Sequence, residues 1–186
     1  LPLVDVIEMP LIEEAQPRWL SFLNGEQDLL EGLPAEFAHL AIPTNQLAPN
    51  LAKRGIGMLR VPRADVAVTY FGMEHPVVGG TSPDKVALRR AIALAVDLPR
   101  EIALVRRGQA VPAQSPIAPG TWGYDPAFKS EMSEHDLARG KALLALYGYV
   151  DKDGDGWREL PDGRPLLLEY ATSPDQTSRQ LSELWK

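Results

Sequence analysis

The chain has 186 residues, with 19 basic and 25 acidic side chains, three histidines and no cysteine. The lack of cysteine excludes disulfides, a thiolate nucleophile and sulfur-ligated zinc or iron–sulfur sites. A net charge of −6 argues against nucleic acid as a partner, and no apolar run reaches the roughly 18 residues that cross a bilayer.

The first forty residues alternate between strand-like and helix-like patterns. Residues 3–9 alternate in polarity and carry β-branched side chains, which predicts a strand, and 28–30 predict a second, shorter one. Apolar side chains recur at helical spacing over 15–23, and a further helix is predicted over 34–40. A β-α-β-α order favours a sheet covered by helices. The predicted fold class is therefore α/β, with mixed sheets and flanking helices.

The middle of the chain contains two more predicted strands, over residues 56–59 and 66–71. A turn that begins at Pro62 separates them, because proline cannot donate to a strand ladder. Loops flank the pair on both sides: 41–55 are rich in proline, asparagine and glycine, and 75–83 centre on a glycine pair.

A helix is predicted from Ser82, which fits as an N-cap before Pro83. Its buried face is expected to contain Ala91, Leu94 and Ala95. The basic pairs Arg89–Arg90 and Arg106–Arg107 are interpreted as solvated helix faces. The remaining predicted elements are a helix over 99–107, an irregular proline-rich segment over 109–127, a helix over 137–146, an acidic turn over 151–163, a strand over 166–171 and a helix over 178–185.

The search for catalytic motifs finds none. His39, His75 and His135 are isolated, and no histidine pair has the spacing of a helical zinc site. Residues 55–60 begin like a dinucleotide-binding loop but place Arg60 where the third glycine is needed. The sequence therefore predicts a protein that is not an enzyme and needs no cofactor.

An acidic turn is the one motif with metal-binding character. Asp151, Asp153 and Asp155 alternate before a glycine, as in the opening of a calcium loop, and Asp162 occupies the twelfth position. A calcium loop prefers a bidentate glutamate at that position and an apolar residue where Arg158 stands. An Asx-rich turn, in which the side chains accept from their own backbone, is the alternative that the sequence favours.

Residues 82–97 resemble a signature of the family 5 extracellular solute-binding proteins, which are the peptide- and nickel-type receptors of ABC importers. Glu74 departs from the family pattern, which usually has asparagine shortly after the preceding strand. Further segments match in the family's order: Gly25-Glu-Gln-Asp28, Thr69-Tyr-Phe-Gly-Met73, 108–119, Gly123-Tyr-Asp-Pro126, 138–144, Tyr147-Gly-Tyr149, Asp153-Gly-Asp-Gly156 and the strand 165–170.

The resemblance implies an internal part of a longer, two-lobed periplasmic binding protein of the type II-like class. Residues 1–73 would end the first lobe, and 74–186 would begin the second. The lobes would close on a small solute, with an oligopeptide as the first expectation, and deliver it to a membrane permease and its ATPase. The implied protein is a monomer, periplasmic or extracellular, and either soluble or lipid-anchored.

The resemblance also suggests ligand-binding residues near the lobe crossing and in the long loop. Exposed aromatic rings would give broad apolar contact, and a carboxylate would accept a ligand ammonium group; core or loop packing is the alternative for the rings. The expected ligand-binding residues are Tyr70, Phe71, Met73, Glu74, Trp122 and Tyr124. Two other functions remain open: an interaction module stabilised by calcium at the acidic turn, and an enzyme that uses a carboxylate pair not visible in the sequence.

Overall fold

The computed structural model describes residues 3–130 and 133–186. The chain divides into two compact units, Leu1–Leu59 and Arg60–Lys186. In the first unit, the helices are α1 (Ala15–Leu23), a 3₁₀ turn (Ala35–Phe37), α2 (Ala38–Ala41) and α3 (Pro49–Ala52); in the second, they are α4 (Pro83–Ala95), α5 (Leu98–Leu104), α6 (Leu137–Leu146) and α7 (Gln176–Trp185).

The predicted α/β fold class is wrong, because the described part of the chain contains no β-sheet. Its one β-bridge joins Glu159 and Pro165 in antiparallel sense. A strand is stable only when a neighbour accepts and donates its main-chain hydrogen bonds, and a local alternation of side chains cannot supply that neighbour. In the predicted strands 3–9, 66–71 and 166–171, the large apolar side chains are mostly exposed.

The first unit has a small core built around Trp19 of α1. The indole is 6% exposed and stacks on Phe37, with ring centroids 5.8 Å apart and planes 16° apart. The rest of the buried cluster consists of Ala38, Ala41, Ile42, Ala48 and Leu51. Short helices occupy 35–41, where the sequence predicted one continuous helix, and 49–52, where it predicted a loop.

The second unit is organised by the packing of α6 on α4. Gly140 allows the close approach, because a Cβ atom there would lie 3.3 Å from the carbonyl oxygen of Ala91. The N–H of Asp136, the N-cap of α6, donates to the last-turn carbonyl of Leu94 at 2.9 Å. Ala91 and Leu94 are buried as predicted, whereas Ala95 is exposed.

Helix ends follow local signals closely. α1 ends at Leu23, where Gly25 adopts a positive φ of 78°. α6 has the predicted bounds, and the side chain of its N-cap Asp136 accepts from the N–H of Arg139 at 2.9 Å. Ser82 is the N-cap of α4 by position, but its hydroxyl makes no capping hydrogen bond to the helix backbone.

Candidate functional site

The segment 73–80, called here the α4 loop, folds on itself through its backbone. The N–H of Gly80 donates to the carbonyl of Met73, and the N–H of Gly79 donates to that of His75, both at 2.8 Å. His75 Nδ1 also accepts from the N–H of Val77 at 3.2 Å. A side chain at Gly79 would collide with the carbonyl oxygens of Met73 and His75, the latter within 2.6 Å. The α4 loop therefore requires glycine at this position.

Two cationic side chains of α4 bind the carbonyl groups of this loop. Lys85 Nζ donates to the carbonyls of Pro76 and Val77 at 2.9 and 2.7 Å. Arg89 Nη1 donates to those of Val78 and Gly80 at 2.6 and 2.8 Å. The interpretation of Arg89 as part of a solvated face is therefore wrong, whereas its neighbour Arg90 is exposed.

A buried tyrosine anchors the start of α4 to the core. Tyr149 is fully buried with Leu88, and its hydroxyl donates to the carbonyl of Asp84 at 3.2 Å. Burial raises the pKa of Tyr149, and the nearby Asp84 carboxylate adds to the shift. The Ser82 hydroxyl lowers the pKa of Asp84 by a side-chain hydrogen bond. The start of α4 is thus fixed to the core while it holds the α4 loop.

The predicted ligand residues before and within the α4 loop are largely solvent-accessible. Tyr70 is 85% exposed, Met73 is 50% exposed and Glu74 is exposed, while Phe71 is half-buried. Of these four residues, only Phe71 is partly buried, as a ring that packs in the core or the loop would be. The others present apolar or acidic groups to solvent.

Trp122 and Tyr124 lie in the long irregular segment, which has its own anchor points. Ala118 is buried, and its carbonyl accepts from the Thr121 hydroxyl at 2.6 Å. Beyond this turn the Trp122 ring is fully exposed, and Tyr124 is 40% exposed. Among the described residues, no ring–ring contact joins either residue to Tyr70 or Phe71.

The acidic turn brings four carboxylate groups together. One oxygen atom from each of Asp151, Asp153, Asp155 and Glu159 lies within 4.8 Å of the others. Asp162 instead forms an ion pair with Arg164 at 2.8 Å. Glu159 was missed in the sequence, although it occupies the ninth position of the same loop register.

Backbone N–H groups already bind the carboxylates of this turn. Asp151 accepts from the N–H groups of Gly154 and Gly156 at 2.6 and 2.9 Å. Buried Glu159 accepts from the N–H of Lys152 at 2.6 Å, and Asp155 accepts from that of Trp157 at 2.7 Å. The bonds to the aspartates are those of an Asx-rich turn, and the oxygen spacing also suits a hard cation such as calcium.

Two surface depressions of the second unit are lined by none of the predicted ligand residues. One, of about 460 Å³, is open to solvent and is lined by residues of α5 and α7, including Arg100 and Arg179. The other, of about 240 Å³, lies between α4 and α6 and is lined by Arg90, Arg139 and leucines.

Comparison with known proteins decides the family. The chain matches the family model of bacterial extracellular solute-binding proteins, family 5 Middle, over residues 1–186. The chain belongs to this family. The resemblance carried by residues 82–97 is thereby confirmed. No curated protein and no solved structure matches the chain.

Membership gives the chain a solute-binding role in ABC import, and the members of this family are generally non-enzymatic. Its family works outside the cytoplasm, in the periplasm or the extracellular space. Within the described residues, no helix is both long and apolar enough to cross a membrane.

Proposed function

We propose that this solute-binding protein captures an oligopeptide and presents it to a membrane permease driven by an ATPase. The proposed ligand contacts are Tyr70, Phe71, Met73, Glu74, Trp122 and Tyr124. The observation that carries the proposal is the exposed pair Met73–Glu74 on a loop whose own backbone and two cations of α4 fix its shape. The assignment of residues 1–73 and 74–186 to two lobes, and the monomeric state, stay predictions.

Exposed aromatic rings support a ligand with varied side chains. Tyr70 and Trp122 each leave most of a large apolar surface in water. Burying such apolar surface contributes about 25 cal/mol per Å² to the free energy, and this contribution does not depend on the direction from which a ligand approaches. Rings of this kind therefore favour contact with many peptide side chains without selecting a single sequence.

Glu74 supports a ligand that carries an ammonium group. Its exposed carboxylate follows Met73, whose carbonyl is fixed by the N–H of Gly80. Because the backbone here is already ordered, only the side-chain rotamers of Glu74 must be fixed when it accepts a charged hydrogen bond. The α-ammonium group of a peptide is the proposed donor.

A calcium-stabilised interaction module is the second candidate function. The grouping of Asp151, Asp153, Asp155 and Glu159 favours it, because four carboxylate oxygens lie within 4.8 Å of one another. In that case calcium alone would stabilise the protein, and no peptide would.

A thermal-shift screen distinguishes these functions. The protein is first unfolded and refolded to remove bound ligand, and then tested with alanine peptides of two to five residues, sugars, nickel chelates and calcium. A ligand at one hundred times its Kd adds about 2.7 kcal/mol, which should raise Tm by roughly 5–10 °C for a chain of this size.

The matched variants for this screen are Glu74→Gln and Glu183→Gln. Glu183 is exposed on α7 and forms an ion pair with Lys186, so its neutralisation alters net charge without touching the proposed site. The proposal is supported if peptide affinity falls in Glu74→Gln but not in Glu183→Gln. A shift with calcium alone, or peptide binding indifferent to Glu74, contradicts it.

A further inference from the structure

The positions of Lys85 and Arg89 oppose the stability of the helix that carries them. Lys85 lies in the first turn of α4, where the helix dipole favours anions and disfavours cations. Arg89 follows four residues later, and like charges at this spacing repel. Hydrogen bonds to groups outside the helix would offset both effects.

Both side chains make such hydrogen bonds with the main chain of the α4 loop. Lys85 donates to two carbonyl oxygens and Arg89 to two others, so four of the five carbonyl groups between Pro76 and Gly80 have a cationic donor. Hydrogen bonds from charged donors are stronger than neutral ones. The two side chains thus fix the loop from the α4 side.

Backbone contacts within the loop link residues 76–80 to the exposed residues Met73 and Glu74. Gly80, whose carbonyl accepts from Arg89, donates its own N–H to the carbonyl of Met73. Gly79 packs against the carbonyl groups of Met73 and His75 with no space for a side chain. The position of Met73, and of Glu74 after it, therefore depends on the conformation of residues 76–80.

We propose that Lys85 and Arg89 are positioning residues for ligand binding: they hold residues 76–80 so that Met73 and Glu74 keep one fixed position. The inference rests on the proposed function for the ligand that Glu74 meets. In this role the two cations do not contact the ligand. They act only through the conformation of the loop.

The test compares Lys85→Met and Arg89→Met with Arg90→Met in the refolded protein. Arg90 is the same residue type on the same helix, but it is exposed and lies on the side that faces α6. The probe is trialanine, with Kd measured by titration calorimetry well below the Tm of every variant. Hydrogen exchange of the Gly79 and Gly80 N–H groups is followed in parallel.

The positioning role predicts that Kd rises about tenfold in both loop-facing variants, with exchange at Gly79 and Gly80 faster by at least tenfold. Arg89→Lys should recover part of both effects, and Arg90→Met should change neither. Gly79→Ala, which leaves both cations in place, should weaken trialanine binding in the same way because it deforms the loop directly.

If Lys85 and Arg89 only stabilise the fold, their variants should have a lower Tm and an unchanged Kd. That result would overturn the proposal. Unchanged exchange at Gly79 and Gly80 overturns it as well. If the parent protein itself fails to bind trialanine or any other peptide of the screen, the proposed function fails and the positioning role fails with it. If the parent protein binds trialanine and the Lys85 and Arg89 variants bind it with the same Kd, only the positioning role is overturned.

Discussion

Ala91→Asp tests the packing of α4 against α6. Ala91 is 4% exposed, and its carbonyl lies 3.3 Å from the position of a Cβ atom on Gly140, so the interface has no space for a carboxylate. A buried aspartate without a partner protonates instead of remaining charged. Protonation at pH 7, about three units above its ordinary pKa, costs roughly 4 kcal/mol. Overpacking adds about 1–3 kcal/mol, so the sum approaches the whole stability of a typical domain.

The assay is urea denaturation followed by circular dichroism at pH 7 and pH 4. In the folded state the pKa of the introduced aspartate is raised, so the folded state binds the proton more tightly and stability falls as the pH rises. At pH 4 the protonation cost nearly vanishes, and the Ala91→Asp variant should regain more than about 3 kcal/mol relative to the parent. The overpacking cost should remain at both pH values.

Ala95→Asp is the matched control, because Ala95 lies on the same helix but is exposed. It should cost less than about 1 kcal/mol, mainly from the unfavourable dipole at the helix end. If Ala91→Asp is as stable as this control at pH 7, the buried α4–α6 interface does not exist as described.

Other substitutions probe the remaining parts of the chain. Trp19→Ala removes the ring that stacks on Phe37 and should lower the free energy of unfolding of the first unit by about 3–5 kcal/mol in urea; a cost below about 1 kcal/mol argues against a core role. Tyr149→Phe loses the bond to the Asp84 carbonyl and should cost about 1 kcal/mol at neutral pH. Burial raises the pKa of Tyr149, so its stability contribution is complete below the ordinary pKa and is lost as the pH rises through the raised value. The phenylalanine variant should therefore lose less stability than the parent above pH ~10, and equal losses would contradict the burial. Asp151→Ala removes the acceptor of two backbone N–H groups and should cost about 1–2 kcal/mol equally in calcium and in chelator; a cost seen only in calcium would identify an ion site.

The helices were predictable because their signals are local. The bounds of α6 follow from Asp136 and the apolar run after it, and α4 begins at Pro83, directly after Ser82, as expected. Spacing, caps and prolines act within four residues of one another, so a sequence window contains all of the relevant information. The short helices between residues 35 and 52 are less regular and were partly missed.

The strands failed because their stability is not local. Residues 3–9 and 66–71 have the alternation of a half-buried strand, yet in the described structure they lack regular pairing, and Leu3 and Tyr70 are largely exposed. Alternation shows which side chains would share a face, but it does not supply the partner that satisfies the backbone. The mixed-sheet prediction treated a compatible pattern as a formed structure.

The α4 loop shows a different limit of sequence reading. Lys85 and Arg89 were visible as cations at helical spacing, and the solvated face was the simplest explanation for Arg89. Their conflict with the helix dipole and with each other was also visible, and such a local conflict marks a side chain whose partner lies outside the helix. The identity of that partner was not visible in the sequence, because backbone carbonyl groups carry no sequence signal of their own. A cation near a helix start, preceded by a loop rich in glycine and proline, is therefore better tested first as a donor to that loop than as a solvated charge.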